Sequence, residues 1–225
     1  MYLIERLPRN LEDIAKVPNG GQPQVRTFSM DELKLIWNNA IARLRCWIAL
    51  ALNCGMGQQD ISCLKVAEVD WDNGYVVRER SKTKVKTKHK LWATTHELLK
   101  AHRPAGGTPD EPMFLTENGL PLVRRIMVDG KFYHSDAVKN AFERVLVKVK
   151  LNSHRGFYCL RKTGATMIES IDPAATEMYL SHVENGMKKH YADRDWGRLE
   201  RALVELQNQL KDVIGLSDAS PSPQP

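Results

Sequence analysis

Between residues 135 and 149 the apolar side chains Ala137, Val138, Ala141, Phe142, Val145 and Val149 recur at helical intervals, with Lys139, Arg144 and Lys148 among them. That spacing lines one face of an amphipathic helix, and Ser135 is placed to cap it. A second stripe runs through Trp196, Leu199, Leu203, Leu206, Leu210 and Val213, alternating three and four apart, and Gly215 supplies a stop. Ser29-Met-Asp-Glu32 has the form of a capping box opening a helix. Further helices are expected over Leu44–Asn53 (ended by Gly55), Gln58–Leu64, Thr94–His102, Tyr158–Ser170, Pro173–Leu180 and Gly186–Tyr191. Val69–Val77 alternates like two strands joined at Asn73-Gly74, a dipeptide suited to a tight hairpin turn. A third strand around Lys88–Trp92 would complete a small antiparallel three-stranded sheet. A Gly- and Pro-rich loop spans Pro104–Pro112. The expected fold is mainly α with that small sheet, an α+β arrangement.

The 225 residues divide unevenly. Residues 1–28, with Pro8, Pro18, Gly20, Gly21 and Pro23 and no sustained periodicity, read as an arm or interdomain linker. One domain is expected over residues 29–215, and residues 216–225 form a Ser/Pro-rich tail expected to be disordered. Hydrophobic content of 42% and charged content of 27% are ordinary for a globular chain. The net charge of +6 leans towards an acidic partner. No apolar run approaches the length of a membrane span and no signal peptide is visible, so an intracellular setting is expected. Cys46, Cys54, Cys63 and Cys159 form no CxxC pair and lie in apolar stretches, which suggests reduced, buried thiols rather than metal ligands.

One stretch stands out chemically. Lys82, Lys84, Lys86, Lys88 and Lys90 occupy every second position, so on a strand all five would project from one side. A charge run is commonly just a solvated face. Like charge concentrated this way is also relieved by a phosphate backbone, and contact with duplex DNA is the reading preferred here.

The C-terminal half carries Tyr158-Cys-Leu-Arg161, then Tyr179-Leu-Ser-His182, then Lys189-His-Tyr191, with Tyr191 nine residues beyond His182. Upstream lie Leu52-Asn-Cys-Gly-Met-Gly-Gln-Gln-Asp-Ile-Ser-Cys-Leu64, the Val69–Val77 hairpin and Arg80-Ser-Lys82-Thr83. In order and spacing these segments resemble the catalytic domain of tyrosine recombinases, the phage integrase family. The resemblance covers residues 27–205. It implies the tyrosine-recombinase catalytic fold, action on double-stranded DNA through a 3′-phosphotyrosyl intermediate, and roles for particular residues. Tyr191 would attack the backbone phosphate. Arg161 and His182 would hold that phosphate, the guanidinium offsetting charge that develops in the transition state. Lys82 would protonate the leaving oxygen. Lys84, Lys86, Lys88, Lys90 and Lys162 would contact DNA. No metal or cofactor is required. Family members usually carry a separate helical core-binding domain first, and Met1–Thr27 resembles the linker that follows it.

Two positions depart from the family pattern. Its first catalytic arginine falls on Gly57, and the histidine of its His-x-x-Arg box falls on Tyr158, which sits between a role in the site wall and one in the core. Loss of one preorganised donor typically costs on the order of 10²–10³ in rate. Either another cation fills the gap, or the domain is a DNA-binding regulator or accessory factor that does not cut efficiently. A basic helical module for protein or RNA is a third reading. The Trp196–Val213 stripe is either core or, as in recombinase tetramers, a surface that docks on a neighbouring protomer.

Overall fold

The computed structural model describes residues 26–79, 85–106, 108–151, 155–182 and 195–214. The expected helix over Gly186–Tyr191, most of the arm and the C-terminal tail lie outside the described residues. In chain order the described helices are α1 (Met30–Asn39), α2 (Ala42–Asn53), α3 (Gln58–Ser62), α4 (Ala93–Ala101), α5 (Ala137–Lys148), α6 (Tyr158–Ile171), α7 (Pro173–Tyr179) and α8 (Trp196–Ile214). Strands β1 (Val69–Asp70), β2 (Tyr75–Glu79) and β3 (Lys86–Lys90) form an antiparallel sheet in that order. The expected mainly helical fold with a small three-stranded sheet is the one observed.

Everything is arranged around α2. Cys46 to Asn53 are all buried, because α4, α5, α6 and α8 pack on it from different sides. A helix apolar on every side is a core helix. Its last residue is polar for a reason. The buried Asn53 side chain donates to the carbonyl of Lys90 at 2.9 Å and accepts from the amide of Trp92 at 2.8 Å. One amide thereby satisfies both the end of β3 and the start of α4.

The capping box at Ser29 and Glu32 is present as expected. The cap of α5 is not Ser135 but Asp136, whose Oδ1 accepts from the Lys139 amide at 2.8 Å. Ser135 is still paired in a strand. The segment preceding α5 is a second, two-stranded ribbon of β4 (Val123–Val128) and β5 (Lys131–Asp136), unassigned by the sequence pattern. Its turn is Asp129-Gly130, both at positive φ (49° and 73°), the geometry of a two-residue hairpin. The ribbon shows no apolar–polar alternation because it has no buried side. Ile126, Met127, Phe132 and Tyr133 are all exposed.

The stripe on α8 is spent within the chain. Leu199, Leu203, Leu206, Leu210 and Val213 are buried against α1, α6, α7 and β3, so this face is core rather than a free docking surface. Of the four cysteines, Cys46, Cys54 and Cys159 are buried, but Cys63 is exposed, contrary to expectation. It follows the last residue of α3, on the side away from the core.

α6 and α7 meet α2 through Tyr179. This fully buried ring sends its hydroxyl to the carbonyls of Ala51 and Leu52, at 3.1 and 2.8 Å. A Cβ on Gly164 would overlap that hydroxyl and lie 3.0 Å from the ring carbon bearing it, so the close helix approach requires glycine there. Gly164→Ala is therefore expected to cost about 3 kcal/mol, which lowers Tm by roughly 6–12 °C in a domain of this size. Differential scanning calorimetry checks this, and adding Tyr179→Phe should recover part of the loss.

Candidate active site

The site is built where four chain segments come together at the guanidinium of Arg161. Arg161 lies one turn into α6 and is only 3% exposed. Its two terminal nitrogens donate to backbone carbonyls from distant places, one to Gly55 after α2 and one to Leu180 at the end of α7, the latter at 2.6 Å. The Asp60 carboxylate of α3 stands 3.9 Å away. A buried charge persists only when paired and hydrogen-bonded in this way. Gly55 can offer its carbonyl because it takes φ +60°, and a Cβ there would lie 2.8 Å from the Tyr179 carbonyl oxygen.

On its outer side Arg161 opens onto a groove of about 420 Å³ that also carries Tyr158, Lys162, Thr166, Leu180 and His182. Tyr158, Arg161, Lys162 and Ala165 share a face of α6 by their three- and four-residue spacing. The Lys162 ammonium stands 6.0 Å from the centre of the Tyr158 ring, which is itself 46% exposed. Tyr158 is thus a wall of the groove. His182 arrives from the other side. Ser181 adopts φ +55° where α7 ends, and the next residue joins the groove with its Nδ1 2.9 Å from the Glu177 carboxylate. Sequence reasoning placed Arg161, His182 and Tyr158 in one site and Lys162 among the DNA contacts, and the fold brings all four to one groove. Tyr191, Lys82 and Lys84 lie outside the described residues.

Gly57 is the N-cap of α3, and its amide donates to Asp60 Oδ2 at 3.0 Å. Its backbone is extended (φ −88°, ψ 176°), and a Cβ would meet the Tyr158 ring and Asp60 only at 3.5–3.6 Å. Neither strain nor crowding demands glycine at this position.

Of the lysine run, Lys86, Lys88 and Lys90 lie among the described residues. Lys86, Lys88 and Lys90 share one side of β3, while Thr87 and His89 are buried on the other. The ammonium groups of Lys88 and Lys90 each stand 4.4 Å from the centre of the Tyr75 ring, and Lys90 also donates to the Asn73 carbonyl. These three lysines therefore point away from the Arg161 guanidinium, across the thickness of the sheet.

Three participants escaped the sequence reading. Asp60, Arg78 and His89 line a small cavity of about 10 Å³ with Gly55, Arg161 and Ser181. The available signal was parity. Arg78 shares its strand face with Val76, and His89 shares its face with Thr87, so both had to point inwards. Burial pushes the His89 imidazole down to about 4, helped by the nearby Arg161 and Arg78 charges, and its Nε2 faces the Tyr179 carbonyl at 3.3 Å. It stands in the wall as a neutral ring. Among the described residues no cluster of His, Cys, Asp and Glu could hold a metal ion, and no helix is long and apolar enough to cross a membrane.

A mainly helical domain with a small three-stranded antiparallel sheet has the fold of integrase and tyrosine recombinase catalytic domains. The chain belongs to the phage integrase family, whose family model matches residues 26–197. Solved structures agree at the level of fold. The integrase from mycobacterium phage Brujita superposes with a TM-score of 0.60 at 15% identity, over 89% of this chain and 67% of that one. The XerA recombinase gives 0.56 at 15% identity, over 84% and 66%. A lambda integrase dimer bound to a COC′ core site gives 0.52 at 23% identity, over 79% and 51%, so this chain spans about half of that longer protein. No curated protein sequence matches the chain.

The buried imidazole makes stability pH-dependent. Between about 6.5, the ordinary histidine value, and about 4, the unfolded chain binds a proton that the folded one refuses. This contribution is whole above pH 6.5 and is lost as pH falls towards 4, on the order of 3 kcal/mol in all. Chemical denaturation across that window should show the decline, and His89→Gln should flatten it.

Proposed function

We propose that this domain binds duplex DNA and breaks and rejoins its strands through a 3′-phosphotyrosyl intermediate, as a site-specific recombinase or integrase. The observation that carries the reading is the fixed guanidinium of Arg161 at the inner wall of a groove shared with His182 and Lys162. Its hydrogen bonds to Gly55 and Leu180 hold the charge in place before any phosphate arrives, so little reorganisation is needed when negative charge develops there.

In this reading the Tyr191 hydroxyl gives its proton to solvent as its oxygen attacks phosphorus, and the 5′ oxygen leaves, taking a proton from Lys82. Arg161 and His182 grip the non-bridging oxygens. The bond to Tyr191 conserves the energy of the phosphodiester, and a 5′ hydroxyl attacking the phosphotyrosine reseals the strand with no external energy source. Both Tyr191 and Lys82 take these roles from their spacing in the chain. Lys84, Lys86, Lys88, Lys90 and Lys162 contact the DNA backbone and supply affinity that depends on salt. Tyr158 lines the groove and offers a phenol where the family has an imidazole. Joining two duplexes requires more than one copy on DNA. With the apolar face of α8 already buried, those copies meet through another surface. The setting is the cell interior, where the DNA is.

A second reading, DNA binding with weak or no cleavage, is favoured by one observation. Position 57 holds glycine although its backbone and surroundings accept a side chain. One experiment separates the two. Duplexes selected from a random pool for binding are nicked to make suicide substrates and incubated with the protein. Cleavage predicts a covalent protein–DNA adduct resistant to denaturant and absent from Tyr191→Phe. Binding that falls steeply with salt, with no adduct from the wild type on any selected duplex, would overturn the strand-transfer reading and leave the binding one.

A further inference from the structure

We infer that Arg78 supplies the positive charge that the family places at position 57, acting through Asp60 on Arg161. The inference rests on the phosphate-binding reading of the groove, and Arg78 is a positioning residue in it. The inward face of β2 carries Val76 and Arg78, and the latter's side chain is 7% exposed. Nothing in the inner face of a small sheet calls for a guanidinium, and burying one is unfavourable unless it is paired. Its partners are all near the site. NH1 donates to the Asp60 carbonyl at 2.9 Å and stands 3.9 Å from Asp60 Oδ1, while Nε lies 3.5 Å from the Glu68 carboxylate.

Asp60 is the shared element. Its Oδ1 faces Arg78, and its Oδ2 faces both Arg161 at 3.9 Å and the Gly57 amide at 3.0 Å. A Cβ placed on residue 57 would lie 3.6 Å from the same Oδ2. The missing side chain of position 57 and the present side chain of position 78 therefore converge on one carboxylate. Both guanidiniums also line one cavity of about 10 Å³, room for a single water, between Gly55 and Ser181.

The charge balance gives this arrangement its consequence. Among the described residues, Asp60 and Glu68 bring two negative charges to this cluster, and Arg78 and Arg161 bring two positive ones. One oxygen of Asp60 then answers to Arg78, so the carboxylate does not neutralise Arg161 alone, and an arriving phosphate still meets a cation. In a partly buried cluster such balances act more strongly than at an open surface.

The test uses the full chain carrying Tyr191→Phe, so that only non-covalent binding is read, on duplexes of about 30 base pairs selected from a random pool, titrated against salt. Arg78→Met leaves Asp60 to neutralise Arg161, so binding should weaken about tenfold at moderate salt and the slope of log affinity against log salt should fall by about 0.9, the weight of the one phosphate contact assigned to Arg161. Arg78→Lys, which keeps the charge, should retain the slope even where its melting temperature falls. Adding Gly57→Arg to Arg78→Met should restore both affinity and slope. A purely structural staple predicts the opposite pattern, with affinity following melting temperature in both single variants and no rescue by Gly57→Arg. That pattern, or an unchanged slope in Arg78→Met, overturns the inference. Wild-type protein that binds with the expected slopes but forms no covalent adduct refutes strand transfer and leaves the role of Arg78 standing. Absence of duplex binding in every variant refutes both.

Discussion

The pairing of one buried guanidinium decides the architecture of this domain. Arg161 sits inside the protein, where a lone charge cannot persist, and its stability there depends on the Gly55 turn, the last carbonyl of α7 and the carboxylate of α3. Of α7 the single partner is the carbonyl of its C-cap, Leu180, and each partner comes from a different part of the chain. The side chain can keep its place only if α2, α3, α6 and α7 are all correctly packed, which makes the groove-facing charge a readout of the whole fold. Tyr179 performs the matching task within the core. It ties α7 to α2 through two backbone carbonyls and fills the space that Gly164 leaves open.

The small sheet separates two chemistries. Its inner face contributes Arg78, Thr87 and His89 to the walls around Arg161, and its outer face carries Lys86, Lys88 and Lys90 beside the Tyr75 ring. A period of two is enough to achieve this, since adjacent residues on a strand face opposite ways. The inner charges are fixed and compensated by Asp60 and Glu68. The outer ones sit on the solvent side, where Lys88 and Lys90 gather over the Tyr75 ring.

Much of this was legible in the chain. The long helices announced themselves through apolar spacing, the Asn73-Gly74 hairpin through its turn, and the Arg161 and His182 segments through their resemblance to the family's motifs. What escaped detection has physical causes. The ribbon before α5 has no buried side, so alternation had nothing to mark, and Asp129-Gly130 was the sole available hint. Ser135 looked like a cap because the hydrogen bonding of a preceding strand cannot be read from composition. Cys63 is an apolar-neighbourhood cysteine that happens to follow the end of a short helix and faces out. Arg78 and His89 are polar residues on inward positions, and a polar residue in a strand is naturally taken as outward until its parity with Val76 or Thr87 is counted.

The β4–β5 ribbon has a practical consequence. Among the described residues no third strand covers the ribbon's outer edges, and beyond the Val123 amide, which donates to the Ser62 hydroxyl, those edges run beside Met127, Phe132 and Tyr133, whose exposures are 61, 78 and 52%. Open strand edges beside apolar side chains are templates for further strands. In concentrated solution this finger is where unwanted self-association of the isolated protein would begin, well away from the buried heart of the molecule. A lysine introduced at Phe132 would guard that edge while leaving the hydrogen bonds of the Asp129-Gly130 turn intact.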